Sequence, residues 1–209
     1  MKIVLCIPGD TFLREVMLDV INFIREANAL GWNIYLQSRY SANIYKIRNE
    51  ILGGNKTLGK EQKPFNGKVD YDYVLWIDSD IRFNITMIET LLSHKKDVIT
   101  GLYRMKDSNN FVLIEDKTYF SNEDLQKKID ENNMGIFPIS TCGLGICLMS
   151  RKALESIEYP WFRPIVFHSD KGLHYSEEDT GICIRLRGAG FTIYCDPNVI
   201  AGHMKMIMI

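Results

Sequence analysis

An apolar run, Tyr73-Val74-Leu75-Trp76-Ile77, passes without a break into Asp78-Ser79-Asp80. The run reads as a buried strand. Side chains alternate along a strand, so residues two apart share a face. Asp78 and Asp80 are therefore expected to present two carboxylates to one point at the strand's C-terminal end. Two hard oxygen donors in that arrangement suit Mg²⁺ or Mn²⁺, and such an ion in turn suits a diphosphate. At ordinary composition a D-x-D triplet arises by chance about once in a chain of this length. Placement at the end of a buried strand gives the pair its weight; the spacing alone is weak.

The pattern around that strand predicts a layered α/β domain. Lys2 to Ile7 reads as a first buried strand, broken by Pro8-Gly9-Asp10. From Phe12 to Leu30, apolar residues at Phe12, Val16, Val20, Phe23, Ile24 and Ala27 follow a helical period that Gly31 closes. Asn33 to Gln37 reads as a second strand and Ser41 to Leu52 as a second helix, followed by a Gly-, Lys- and Asn-rich loop from Gly53 to Lys68. Beyond the aspartates, helices are expected over Ile85 to Leu92, Asn122 to Ile129, Arg151 to Ile157 and Glu177 to Gly188. Strands are expected over Asp97 to Tyr103, Gly145 to Met149 and Phe191 to Cys195. Alternation of strand and helix predicts a mostly parallel central sheet with helices on both faces, and ligands outside the carboxyl ends of its strands. Pro8-Gly9-Asp10, Ser38-Arg39 and Asp78-Ser79-Asp80 all fall at such ends.

The 209 residues suffice for one domain with one sizeable core. A net charge of -1 leaves no electrostatic footprint for nucleic acid or an anionic membrane. No apolar run is long enough to span a bilayer, and the N-terminus lacks the form of a signal peptide. The five cysteines, at 6, 142, 147, 183 and 195, sit mostly in apolar segments. They read as buried free thiols of a reducing, cytoplasmic setting; Cys142 and Cys147 lack a second pair with which to bind zinc. The apolar C-terminal run from Met204 to Ile209 suggests a single domain, residues 1 to 209, cut from a longer polypeptide.

Other residues carry two readings each. Arg48, beside Asn49 on the second helix, is either a fork that grips a phosphate or a carboxylate, or a solvated helix residue, or one paired to Glu50 or another nearby acid. Ser176 with Asp179 three residues on resembles a capping box, whereas three acids in a row, Glu177-Glu178-Asp179, exceed what capping needs and suggest a general base. His203 is either structural or a nitrogen ligand that joins the two aspartates and tilts the metal from Mg²⁺ toward Mn²⁺. Gly143-Leu144-Gly145 is either a tight bend or a place where backbone approaches a sugar. Trp161, Phe162, Phe167, His168 and His174 read slightly better as packing than as a sugar-stacking surface.

Taken in order, these pieces resemble a GT-A-type glycosyltransferase over nearly the whole chain. The matching residues are Cys6-Ile7-Pro8-Gly9, Arg48-Asn49, the DXD motif Trp76-Ile77-Asp78-Ser79-Asp80 and Gly143-Leu144-Gly145-Ile146-Cys147-Leu148. The most specific block is Ser176-Glu177-Glu178-Asp179 through Arg185-Leu186-Arg187, Gly190-Phe191, Tyr194, Asp196-Pro197 and Gly202-His203. The compact form is similar to viral or microbial members, among them the N-terminal glycosyltransferase domain of a large algal-virus (chlorovirus) protein that decorates capsid glycans.

The resemblance implies transfer of a sugar from a UDP-sugar, before a GDP-sugar, to a hydroxyl of a glycan or protein acceptor, in the host cytoplasm if viral. It implies Mn²⁺ or Mg²⁺ held by Asp80 and His203, with Asp78 at the metal or the ribose. Pro8, Gly9, Ser38, Arg48 and Ser79 would bind the nucleotide, Gly143 and Gly145 would border the donor sugar, and Asp179 or Glu178 would act on the acceptor. Further domains of the same polypeptide are expected partners. Three rivals remain: a haloacid-dehalogenase-type phosphohydrolase, which also places D-x-D after a strand, a nucleotidyltransferase that makes sugar nucleotides, whose Gly-rich, Arg-Leu-containing loop Pro8-Gly9-Asp10-Thr11 does not match, and a non-catalytic sugar-nucleotide-binding module.

Overall fold

The computed structural model describes residues 1–105, 110–115, 118–169 and 172–204. Its centre is a sheet of seven strands: β1 (Lys2–Pro8), β2 (Asn33–Arg39), β3 (Tyr73–Ile77), β4 (Val98–Leu102), β5 (Phe137–Ile139), β6 (Ile146–Ser150) and β7 (Ile193–Ile200). The spatial order is β2-β1-β3-β6-β4-β7-β5. All but β5 and β6 run in one direction. The expected mostly parallel sheet is thus present, with one reversal that strand–helix alternation does not reveal. β6 lies antiparallel between β3 and β4, and Ile146 at its start pairs with Ile77 at the end of β3.

Strands buried on both faces require apolar residues at odd and even positions alike. Ile3, Leu5, Ile7, Leu75 and Ile77 pack on one face under α1 (Arg14–Ala29) and, further along the chain, α3 (Ile85–Ser93). Val4, Cys6, Val74 and Trp76 pack on the other. That second face is covered by α2 (Ile44–Ile51), α4 (Asn122–Glu131), α5 (Arg151–Glu155) and α6 (Glu178–Gly188). All five cysteines are free and buried in these layers. Each fully buried large side chain contributes about 2 kcal/mol by removal from water.

Two features escape a period-based reading. The edge strand β5 is three residues long with Pro138 at its middle. β7 continues through Asp196-Pro197 with an irregular register between Cys195 and Ile200, so the Pro does not end it. Three smaller sheets surround the central one. One pairs Ile81–Arg82 with Gly202–His203, and another is the hairpin Val166–Ser169 with Gly172–Tyr175. The third joins Leu113–Glu115 to Thr118–Tyr119 and Thr141–Cys142. Among the described residues no helix is long and apolar enough to cross a membrane. The apolar run after Met204 lies outside the described residues.

Candidate active site

The segments after β1, β3 and β7 meet α2 and the start of α6 at the carboxyl edge of the sheet. The turn after β1 lies against the turn after β3. Gly9 permits this contact: its φ is +148°, and a Cβ there would sit 3.1 Å from Ser79 Cβ. Any other residue would push the two turns apart.

Arg48 organises the charges. Asn43 caps α2 by accepting the Lys46 N–H at 3.0 Å, which starts the helix one turn before Arg48. The buried guanidinium lies 5.1 Å from the Trp76 ring centroid. Its Nη2 donates to Asp78 Oδ1 at 2.9 Å and its Nε to Glu178 Oε1 at 3.3 Å. Nη1 is buried and has no hydrogen-bond partner among the described residues. Burial opposes the charge, but Asp78 and Glu178 outweigh it and raise the Arg48 pKa. Of the readings open to Arg48, it is pairing with nearby acids that forms, with Asp78 and Glu178 and not with Glu50, and the side chain is buried and not solvated. Asn49, by contrast, is structural: its amide donates at 2.7 Å to the carbonyls of Tyr45 and Phe162 and accepts the Phe162 N–H at 3.2 Å.

The expected ligand trio is only partly assembled. Asp80 Oδ2 and His203 Nε2 face each other at 3.4 Å, while Asp78 turns to Arg48, whose buried charge demands a counter-ion. Among the described residues no group of three His, Cys, Asp or Glu side chains converges as a metal site. His203 is placed by the pairing of Gly202–His203 with Ile81–Arg82 and by a bond of 2.8 Å from Met204 N–H to Asp80 O. Its Nδ1 lies 2.6 Å from the Arg104 carbonyl oxygen, which can only accept. Nδ1 therefore carries a hydrogen, and Nε2 is the ring nitrogen that faces Asp80. The donor set, one carboxylate and one imidazole with a fixed tautomer, is of a kind that suits a divalent ion, though two side chains alone do not complete its coordination.

At α6 the capping box read from sequence is corrected. The N-cap is Glu177, with no side-chain bond, and the helix begins at Glu178. Ser176 Oγ instead accepts the Ile165 N–H at 2.9 Å, and its carbonyl accepts the Tyr45 hydroxyl. The acids are thus left without a capping role. Glu178 answers Arg48. Asp179 is pushed up to about 6, chiefly by burial and then by the neighbouring Glu178 charge; the Thr180 N–H at 2.6 Å and Arg48 pull the other way. Two adjacent carboxylates are thereby given different roles by their surroundings.

The Gly143 and Gly145 positions are buried beneath Tyr103. A Cβ at Gly143 would lie 1.9 Å from the Tyr103 hydroxyl oxygen, and one at Gly145 2.6 Å from its Cζ. The Gly145 N–H donates to that hydroxyl at 3.0 Å, and Gly145 O receives the Asp78 N–H at 3.2 Å. These glycines make room for a tyrosine that steadies the aspartate turn. Trp161 and Phe162 are fully buried, in line with the packing reading.

An open cleft of about 280 Å³ joins these parts, lined by Pro8, Gly9, Arg48, Asp78, Ser79, Asp80 and Glu178 together with Tyr40, Ser41, Ile44 and Ile47. The last four were not anticipated. Ile44 and Ile47 lie one turn or less from Arg48 on the same helix, a periodicity that was available in the sequence. Of the residues expected at the site, Ser38, Gly143, Gly145, Asp179 and His203 do not line the cleft; Asp179 follows Glu178 and His203 stands beside Asp80.

No protein-family model matches the chain, and no curated protein matches it by sequence. Solved structures do match. A197 from STIV aligns with 99% of this chain and 87% of its own at 19% identity and a TM-score of 0.60. The catalytic domain of Drosophila β1,4-galactosyltransferase 7 in complex with xylobiose aligns with 98% of this chain and 71% of its own, at 13% identity and a TM-score of 0.51. A mutant of that enzyme in complex with manganese, UDP-Gal and xylobiose aligns over the same shares at 14% identity and a TM-score of 0.51. At such identities the likeness is one of fold, and the fold of this chain is of the GT-A type.

Proposed function

We propose that the chain is a metal-dependent glycosyltransferase that moves a sugar from a UDP-sugar to a hydroxyl of a glycan or protein acceptor. The observation that carries this reading is the buried Arg48, bound to Asp78 and Glu178 in the same cleft that Asp80 enters beside His203. Its support from outside is the fold shared with a galactosyltransferase crystallised with manganese, UDP-Gal and xylobiose.

Asp80 and His203 would hold Mn²⁺ or Mg²⁺. Bound there, the ion offsets charge developing on a diphosphate leaving group. Tyr40, Ser41, Ile44, Pro8 and Gly9 form a half-apolar wall suited to a nucleoside, and the exposed Tyr40 ring offers a face for the base. Arg48 fixes Asp78 and Glu178 and keeps their charge from repelling the donor. Asp179, with a carboxyl near 6, accepts the proton of an acceptor hydroxyl near neutral pH in an inverting transfer. The buried thiols suit work in a reducing cytoplasm. A haloacid-dehalogenase-type hydrolase needs its first aspartate free as a nucleophile; Asp78 is instead engaged by Arg48.

The test is calorimetric titration of UDP and GDP, with and without Mn²⁺, on wild type and Asp80→Ala. UDP binding that needs Mn²⁺ and disappears in Asp80→Ala is the expected result. Absence of nucleotide binding under every condition overturns the proposal.

A further inference from the structure

β2 is the outermost strand at one side of the central sheet and, among the described residues, pairs only with β1. Its inward bonds are fixed at both ends: Asn33 N–H donates to Met1 O at 2.9 Å, and Arg39 O accepts the Gly9 N–H at 3.0 Å. Successive residues of a strand turn their backbone groups to opposite sides. Asn33, Tyr35, Gln37 and Arg39 therefore face β1, while Ile34, Leu36 and Ser38 turn N–H and C=O outward. A row of such groups is a template for another strand. Proteins usually blunt an edge of this kind with Pro, Lys or a bulge, and β2 has none of them. Its one cover is the Arg39 side chain, whose Nη1 donates to Ser38 O at 3.0 Å.

We propose that β2 is a self-association edge that pairs antiparallel with β2 of a second copy about a two-fold axis through Leu36. The register follows from the backbone. About that axis Leu36 meets Leu36, and Ile34 meets Ser38 of the second copy. Every outward N–H and C=O of the three residues then finds a partner, once the Arg39 side chain swings aside. An axis between residues sets outward groups against inward ones, and an axis at Ile34, Tyr35, Gln37 or Ser38 leaves at least one of the three outward residues without a partner in β2.

The side chains agree with this register. Leu36 is 48% exposed although it lies in the central sheet. It stands on the face covered by α1, since it pairs with Leu5 of that layer. On α1, Asp19 and the Arg82 it binds mark the flank away from β2. Met17 and Ile21 fall on the opposite flank and are 40% and 54% exposed. The axis brings the two α1 flanks together above the paired strands, as an isologous interface requires. Along the paired strands no like charges are opposed: Arg39 comes opposite Asn33 of the second copy. Because the two sheets run in opposite senses, the two clefts open at opposite ends and neither is covered.

Sedimentation of the 209-residue chain across micromolar concentrations tests this. The expected result is a reversible dimer. Leu36→Pro removes an outward N–H that the chain itself does not use, a substitution edge strands tolerate. Ile21→Glu charges the α1 flank at an exposed site and decides the matter if the proline variant folds poorly. Each is expected to weaken dimerisation about 30-fold or more with an unchanged circular dichroism spectrum. A chain that stays monomeric throughout, a dimer that survives both substitutions, or growth into open-ended species overturns the proposal.

Discussion

The two ends of the central sheet hold comparable sets of charges and treat them in opposite ways. At the amino end Asp70 meets Lys2 and, at 3.2 Å, Arg151, which also reaches Glu155 at 2.7 Å. Asp72 accepts the Lys2 backbone N–H at 2.8 Å, and Asp97 accepts the Ser150 hydroxyl at 2.7 Å. There each of these charges has a partner, and they reach water to differing degrees: Asp70 is 72% exposed and Glu155 18%. At the carboxyl end one buried guanidinium serves Asp78 and Glu178 and still has an unpartnered nitrogen. The direction of titration separates the ends. Lys2 lowers the Asp70 carboxyl, whereas burial raises Asp179 to about 6. Matched, hydrated charges maintain a surface; unmatched, desolvated ones are ready to answer a ligand.

The largest effect is expected from Arg48→Met. It leaves Asp78 and Glu178, 30% and 13% exposed, without their counter-charge. Breaking a fully buried pair costs about 3–5 kcal/mol; partial hydration here reduces that to about 2–3 kcal/mol, read by urea unfolding, together with loss of UDP binding. Unchanged stability would mean that the carboxyl end is as well screened as the amino end.

Asp179→Asn comes next and should divide the two properties of the site. Transfer falls about 10²- to 10⁴-fold. Stability moves the other way. The folded-state pKa of about 6 exceeds the unfolded value, so the proton's stabilising contribution is complete below about pH 4 and is lost as pH rises through 6. The carboxylate then costs about 2–3 kcal/mol at pH 7.5. The variant should melt a few degrees above wild type at pH 7.5 and level with it at pH 4. Wild-type transfer should rise through pH 6 to a plateau.

Tyr103→Phe leaves the Gly145 N–H without its acceptor, and about 1–2 kcal/mol of stability should be lost. The smallest effect belongs to the amino end. Asp70→Asn should leave melting temperature and transfer rate within error of wild type, and a measurable loss would erase the contrast.

The layered fold was legible because buried strands such as Lys2–Pro8 and Tyr73–Ile77 are apolar on both faces and their helices keep period. The reversal of β6 was not, because strand direction leaves no trace in a five-residue apolar segment. β5 was missed since three residues around a proline carry no pattern. In the site, Asp78, Asp80, Arg48, Glu178 and His203 were all named from sequence, but not their pairing. That Asp78 turns to Arg48 depends on burial, which only the assembled layers supply. The two glycines are legible as a place of close approach, and the neighbour they admit, Tyr103, is supplied only by the fold.

The short pairing of Gly202–His203 with Ile81–Arg82 has a consequence in time. As a nascent chain emerges, every strand of the central sheet is in hand once Ile200 has been made, and the body of the domain can begin to fold. His203 and the bond from Met204 to the aspartate turn arrive afterwards. The aspartate turn is thus tied down by the last described residues of the chain, beyond the final strand of the central sheet.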